Sequence, residues 1–252
     1  MTSYLPDKKE APRRRTVLVT GGSRGIGSQI VRRLAERNIA VGATYNSSPE
    51  RAQALAEEFG DHVAPIRYQL SSTDSAEQAV QAMVRQFGHL DGVVVNAGLW
   101  KGGRIDKVSH DDWWSVIEAN ISSLAQLTRA VLPELRKSDA PSIVLISSVV
   151  GLIGHAGDTA YGSAKAAMVG FGRSLAKELG RDGIRVNILA PGFVDTDMTS
   201  AVPEGAREKI HAETLMGRFG TADEIAKAAV FLAEDATYCT GTVLSVDGGW
   251  SL

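Results

Sequence analysis

In the stretch YGSAKAAMVGF, Tyr161 and Lys165 stand four residues apart. On a helix that spacing stacks a phenol and an ammonium on one face. A free phenol titrates near pH ~10, too high for easy proton exchange at neutrality. A neighbouring ammonium favours the phenolate and lowers that value. Such a phenol can give a proton to a carbonyl or take one from an alcohol. Ser148 lies 13 residues before Tyr161, at the end of the apolar run SIVLISS, and can hydrogen-bond the same oxygen. Alone, a Y-x-x-x-K pair is ordinarily a surface pair, and a serine at a strand end is ordinarily a satisfied hydroxyl. Their conjunction with other motifs gives them meaning.

The first of those motifs is VLVTGGSRGIG, in which Gly21, Gly25 and Gly27 follow one apolar run and open a helical pattern. Glycines let the backbone turn sharply and approach a pyrophosphate, and the helix N-terminus offers it free N–H groups. Ser23 and Ile26, between the glycines, fall against the same ligand. Arg24 is a cation suited to a 2′-phosphate. An acid that would bind a free ribose 2′-hydroxyl is expected after the second strand. That stretch reads TYNSSPE, with Asn46 and Ser47 in the acid's place. The balance favours NADP(H) over NAD. VVVNAG, carrying Asn96, Ala97 and Gly98, ends another apolar run and brings backbone to the same crevice.

Positioning these groups requires a regular scaffold. From Thr16 onward, strand patterns at 16–20, 39–45, 63–69, 92–98, 142–148, 185–191 and 242–248 alternate with helical patterns. The helices are predicted at Gln29–Arg37, Pro49–Phe59, Ser75–Phe87, Asp111–Leu135, Ala160–Leu179 and Ala222–Ala233. Ser109 and Asp112 suit a capping box before the fourth. Continuous apolar strands between helices predict an α/β fold, a single-domain Rossmann-type doubly wound parallel sheet of about seven strands. Residues 1–15, with two prolines and five Lys/Arg, are expected to be a flexible arm ahead of a 16–252 catalytic domain. The 252 residues are 22% charged with a net charge of -2, so no basic field points to nucleic acid or an anionic membrane. The single cysteine, Cys239, excludes an internal disulfide, and no run is long and apolar enough for a transmembrane helix. A cytoplasmic location is expected, and the chemistry needs no metal.

Taken in order, the glycine loop, NAG, serine, YxxxK and PG motifs resemble the short-chain dehydrogenase/reductase family in its NADP-preferring branch, over residues 15–252. The resemblance implies roles residue by residue. Asn120, in ANISS, holds a water in a proton relay. Ser148 polarises the carbonyl, Tyr161 donates the proton, and Lys165 binds the nicotinamide ribose and lowers the phenol's pKa. Pro191, Gly192, Val194 and Thr196, in APGFVDTDM, hold the carboxamide and diphosphate. Gln69 and Leu70 stand at the adenine, where relatives carry an acid and an aliphatic residue. SSVVGLIG, VDGG and the stretch from GRFG onward are similar to 3-oxoacyl-(acyl-carrier-protein) reductases. After NAG the chain departs from them, reading LWKGGRIDKVSHDDWW.

The resemblance implies an NADPH-dependent reductase of a small-molecule carbonyl or acyl thioester, with acyl carrier protein as a candidate partner, and a homotetramer. Open alternatives are a dehydrogenase of a small ketone, secondary alcohol or sugar, and a non-catalytic dinucleotide sensor. Residues 193–220 are expected to form a substrate lid. His155, Trp100 and Phe193 are candidate pocket residues, with ordinary packing favoured for Trp100. Trp113 and Trp114 are adjacent and cannot both face one core, so one is expected at a subunit interface.

Overall fold

Strands with no polar side must be covered on both faces, and the chain does this with a helix after almost every strand. The computed structural model describes residues 13–200 and 202–252. The first half runs β1 (Thr16–Val19), α1 (Gly25–Glu36), β2 (Ala40–Tyr45), α2 (Pro49–Phe59), β3 (Val63–Arg67), α3 (Thr73–Phe87) and β4 (Gly92–Val95). The second half runs α4 (His110–Ile117), α5 (Ser123–Leu135), β5 (Ser142–Ile146), α6 (Val150–Ile153), α7 (Thr159–Leu179), β6 (Arg185–Pro191), α8 (Glu204–Glu213), α9 (Ala222–Val230) and β7 (Val243–Val246). The sheet has the order β3-β2-β1-β4-β5-β6-β7, with every neighbouring pair parallel. This is the predicted doubly wound sheet. Its strand order reverses between β1 and β4, where a crevice opens at the carboxyl edge.

Two cores form, one on each face. Met83, Leu127, Met168 and Leu175 from α3, α5 and α7 pack on Leu18, Val93 and Leu145. Ile30, Leu34, Ile225 and Val230 from α1 and α9 pack on Val17, Val41 and Leu189. A third, smaller cluster of Val149, Val150, Ala190, Ile210 and Trp250 lies at the carboxyl end of β6.

Three local differences from expectation have physical reasons. The helix predicted across Asp111–Leu135 is interrupted by a π-helical turn at Glu118–Ser122. Ser109 does accept from the Asp112 N–H at 3.1 Å, but a complete capping box forms instead at Thr221 and Glu224. Residues 193–220 contain a full helix, α8, following Pro203. Residues 1–12 of the expected arm lie outside the described residues. Arg13 pairs with Asp91 at 2.7 Å, Arg15 pairs with Glu234 at 2.7 Å, and the Arg15 carbonyl accepts from the Ala40 N–H at 2.9 Å.

The height of α7 above the sheet is set by a missing side chain. A Cβ on Gly172 would stand 2.8 Å from Ile188 Cγ1 and 3.0 Å from Leu145 Cδ1. A larger residue there must lift the helix that carries Tyr161 and Lys165. Gly172→Val is therefore expected to cost about 1–3 kcal/mol, the usual penalty for overpacking. The urea-unfolding midpoint checks this; an unchanged midpoint would show that the helix does not rest on β5 and β6 as described.

Candidate active site

The crevice is built at the carboxyl edge of the sheet from loops that leave the strands and from helices packed beside them. The first is the glycine loop. Gly21 and Gly25 adopt left-handed φ values of 63° and 54°, conformations that disfavour side chains. A Cβ at Gly27 would collide with the Gly21 carbonyl oxygen. The loop is tied down by its neighbours: the Gly21 N–H donates to Thr44 Oγ1 at 3.0 Å, and Asn96 Nδ2 donates to Thr20 O at 3.0 Å. Asn96 thus locks the loop from behind, while Gly27 lets α1 pack against it.

This loop fits a dinucleotide on its own geometry. Arg24 is the N-cap of α1, its backbone extended, and no side chain caps the helix's first N–H groups. Next to Gly25 the space is open except for the Thr196 methyl, 3.7 Å from a notional Cβ. A backbone cradle at an uncapped helix N-terminus suits a pyrophosphate. Asn46, Ser47 and Gln69 are exposed at the ends of β2 and β3, Ser23 and Ile26 are half-buried in the loop, and Leu70 packs against the core. Val194 is buried, bridged to Gly220. Gly192 has another reason to be glycine: a Cβ there would stand 2.6 Å from Asp247 Cα.

The second group surrounds Lys165. Its ammonium is buried, donates to the Ile146 carbonyl at 2.9 Å, and lies 5.4 Å from the Tyr161 ring centroid. Asn120 is buried in the π turn. Its Nδ2 donates to Leu99 O and Val116 O, both at 2.8 Å, while its Oδ1 has no protein partner. A Cβ on Gly98 would stand 2.6 Å from that oxygen and 3.7 Å from Lys165 Nζ. An unpaired buried acceptor and a buried ammonium therefore face one another over a bare glycine.

Ser148 and Tyr161 line a cavity of about 120 Å³ with Trp100, His155, Phe193 and Trp250. Ser148 Oγ accepts from the Val150 N–H at 3.2 Å, which fixes the hydroxyl. It is also the polar neighbour that opposes the rise in the Tyr161 phenol's pKa. The residues singled out from the sequence, Ser148, Tyr161, His155 and Phe193, thus come together at one cavity. Trp100, a candidate pocket residue for which the sequence favours packing, is a cavity wall, and sequence reasoning misses Trp250 and Asp158. Only the run of aromatic and polar residues in the divergent LWKGG segment hints at Trp100. Trp113 Nε1 donates to Thr159 Oγ1 at 3.2 Å, while Trp114 is 46% exposed, so the pair does divide between two environments.

One electrostatic expectation is reversed. Burial, with a smaller contribution from Asp158, pushes the Tyr161 phenol well above its ordinary value, and the Ser148 hydroxyl only partly opposes this. Lys165 is not among the groups that shift it, and its ammonium donates to Ile146 O. Burial lowers its own pKa to about 8.

The fold and this arrangement define a Rossmann-type oxidoreductase acting on a carbonyl or hydroxyl group. Residues 21–251 match a family described as enoyl-(acyl carrier protein) reductase. A 3-oxoacyl-(acyl-carrier-protein) reductase of Chlamydia trachomatis is 40% identical over 239 residues, covering 93% of this chain and 96% of that protein. The protein of that name from Escherichia coli K12 is 40% identical over 233 residues, covering 92% and 95%. A solved double mutant of a Serratia marcescens short-chain dehydrogenase/reductase superposes with a TM-score of 0.88 at 33% identity, covering 96% of this chain and 100% of that one. The chain belongs to the short-chain dehydrogenase/reductase family. Among the described residues no helix is long and apolar enough to cross a membrane.

Lys165 gives a stability test with a defined sign. Its folded pKa of about 8 lies below the ordinary lysine value of ~10.4. Between those values the unfolded chain binds more protons, so stability rises with pH. The burial penalty is fully present below pH ~8 and is relieved above it. Comparing the wild type with Lys165→Met cancels the other titrating groups. The difference in unfolding free energy should move toward the wild type by about 2–3 kcal/mol from pH 7 to 10. A difference that does not vary with pH would show an ammonium in contact with water.

Proposed function

We propose that the protein is an NADPH-dependent reductase of 3-oxoacyl thioesters, with Asn120, Ser148, Tyr161 and Lys165 as its catalytic residues. The observation that carries this reading is the shared cavity of Ser148 and Tyr161, with Lys165 one helical turn further on. The two hydroxyls meet at a single point, where a substrate carbonyl oxygen accepts two hydrogen bonds. The bound nicotinamide supplies the hydride. Tyr161 holds its proton at neutral pH because burial disfavours the phenolate, and it gives that proton to the oxygen. Ser148 orients the carbonyl and stabilises charge growing on it. Asn120 Oδ1, which has no protein partner, and the Lys165 ammonium both lie beside Gly98 and would return the proton to Tyr161.

The cofactor is held by the Gly21–Gly27 loop and the backbone of Asn96–Gly98, with Gln69 and Leu70 at the adenine and Pro191–Thr196 beside the diphosphate and carboxamide. Arg24 is exposed at the loop, and β2 ends in Asn46 and Ser47 rather than an acid, which supports NADP(H). The names of the 40%-identical relatives support the acyl thioester, with acyl carrier protein as its carrier. Homotetrameric assembly and a cytoplasmic location belong to the same proposal.

The test is reduction of an acetoacetyl thioester with each nicotinamide. NADPH should outperform NADH, and Arg24→Ala should erode that preference about tenfold, the loss of one charge-assisted contact to phosphate. Tyr161→Phe should lower kcat by at least ~100-fold, the lower range for a general acid, while NADPH affinity stays near wild type. Turnover retained in Tyr161→Phe would remove the phenol from the chemistry. A 2-enoyl thioester in the same assay separates carbonyl reduction from the enoyl reduction named in the family description.

A further inference from the structure

Trp100 is the common wall of two cavities. On its inner side is the cavity of about 120 Å³ that holds Ser148 and Tyr161; on its outer side is an open groove of about 680 Å³ lined by Lys101, Gly102, Gly103, Lys107 and Val108. The indole is held in that position by a carboxylate. Trp100 Nε1 donates to Asp158 Oδ1 at 2.7 Å, and His155 Nδ1 lies 3.0 Å from Asp158 Oδ2. Asp158 is the N-cap residue of α7, yet its side chain makes no capping bond to its own helix. An aspartate at that position ordinarily accepts from the helix's own N–H groups. Here both oxygens are turned instead to the indole and the imidazole, and the side chain is 12% exposed. The backbone reinforces the latch: the Gly103 N–H donates to the Gly157 carbonyl at 2.7 Å. Gly102 leaves the indole its place, since a Cβ there would stand 2.7 Å from Trp100 Cζ2.

We propose that Trp100, latched by Asp158, is a specificity-determining wall that restricts the enzyme to short 3-oxoacyl groups. The inner cavity, at about 120 Å³, is the smaller of the two spaces that Trp100 separates. A four-carbon 3-oxoacyl group is the size this space favours, with Trp250 and Phe193 among its walls beside Trp100. A longer chain must displace the indole and run into the outer groove. Asp158 acts through Trp100 and His155 and is a positioning residue.

This inference rests on the thioester-reductase reading, so its test has two arms. The first compares kcat/KM for acetoacetyl and 3-oxooctanoyl N-acetylcysteamine thioesters, with NADPH, in wild type, Asp158→Ala, Trp100→Ala and Trp100→Phe. The wild type should favour the four-carbon substrate at least tenfold. Asp158→Ala and Trp100→Ala should reduce that ratio at least tenfold, mainly through a lower KM for the longer substrate. Trp100→Phe, which keeps a ring but loses the N–H, should move the ratio the same way by less. A wild type that reduces both substrates equally, or variants that bind NADPH normally with an unchanged ratio, would overturn the proposal.

The second arm does not require turnover. Exchange of the Trp100 indole proton, followed by NMR, should be slow in the wild type and at least tenfold faster in Asp158→Ala. Rapid exchange in the wild type would overturn the latch. Slow exchange with no reduction of either thioester would leave the latch standing and overturn the substrate reading.

Discussion

The site depends on placing a lysine ammonium inside the protein. Removing such a charge from water is costly unless hydrogen bonds replace the hydration. The sheet provides one of them by ending unevenly. The β4–β5 register stops at Val95 and Leu145, and beyond it the Asn96 and Ala97 N–H groups turn to Thr20 Oγ1. The next carbonyl on β5, that of Ile146, is taken by Lys165 Nζ. The end of the β4–β5 pairing therefore supplies the acceptor for the ammonium. The crevice itself opens beside this point, where strand order reverses between β1 and β4.

Close backbone approach then sets the distances. Gly172 lets α7 rest on β5 and β6, and Gly151 lets α6 lie against the same helix, since a Cβ there would stand 2.6 Å from the Ala166 nitrogen. Gly98 keeps the space between Asn120 and Lys165 clear. Asn120 reaches that space because the helix containing it widens into a π turn, with the Ser123 N–H bonded to Glu118 O. Such turns are rare and cluster at functional sites because they redirect a side chain without breaking the helix. The Asn120 amide group then satisfies the Val116 carbonyl, so the distortion leaves no orphaned backbone acceptor there.

Much of this is legible in the sequence, for identifiable reasons. The strands are visible because burial on both faces forces continuous apolar runs, and the glycine loop because its backbone conformations admit little else. Tyr161 and Lys165 are visible because helical periodicity is local. The π turn is not, since an added residue in a helix leaves hydrophobic spacing nearly unchanged over one turn. Helix α8 reads as part of a polar lid because only Ile210 among its residues is fully buried. Trp100 reads as packing because its partner, Asp158, is distant in sequence and resembles an ordinary helix cap. Contacts of that kind belong to the tertiary structure, and no pattern within a short window encodes them.

The direction in which the phenol is shifted bears on the direction of catalysis. A tyrosine poised to take a proton from an alcohol must be readily ionised, whereas one that delivers a proton to a carbonyl must retain it until charge develops on the substrate. Burial and the Asp158 carboxylate both act to retain the proton on Tyr161, and the Ser148 hydroxyl is the smaller, opposing influence. Lys165, with its own pKa lowered to about 8 and its ammonium directed at Ile146 O, does not reverse this balance in the protein alone. If Tyr161 is the proton donor proposed above, this balance suits reduction at neutral pH. In that direction the cost of the buried phenolate is met only when negative charge on the substrate oxygen makes proton transfer favourable. Asp158 thus has two consequences from one position: it fixes Trp100 in the wall of the cavity and helps keep the proton on the phenol that shares that cavity.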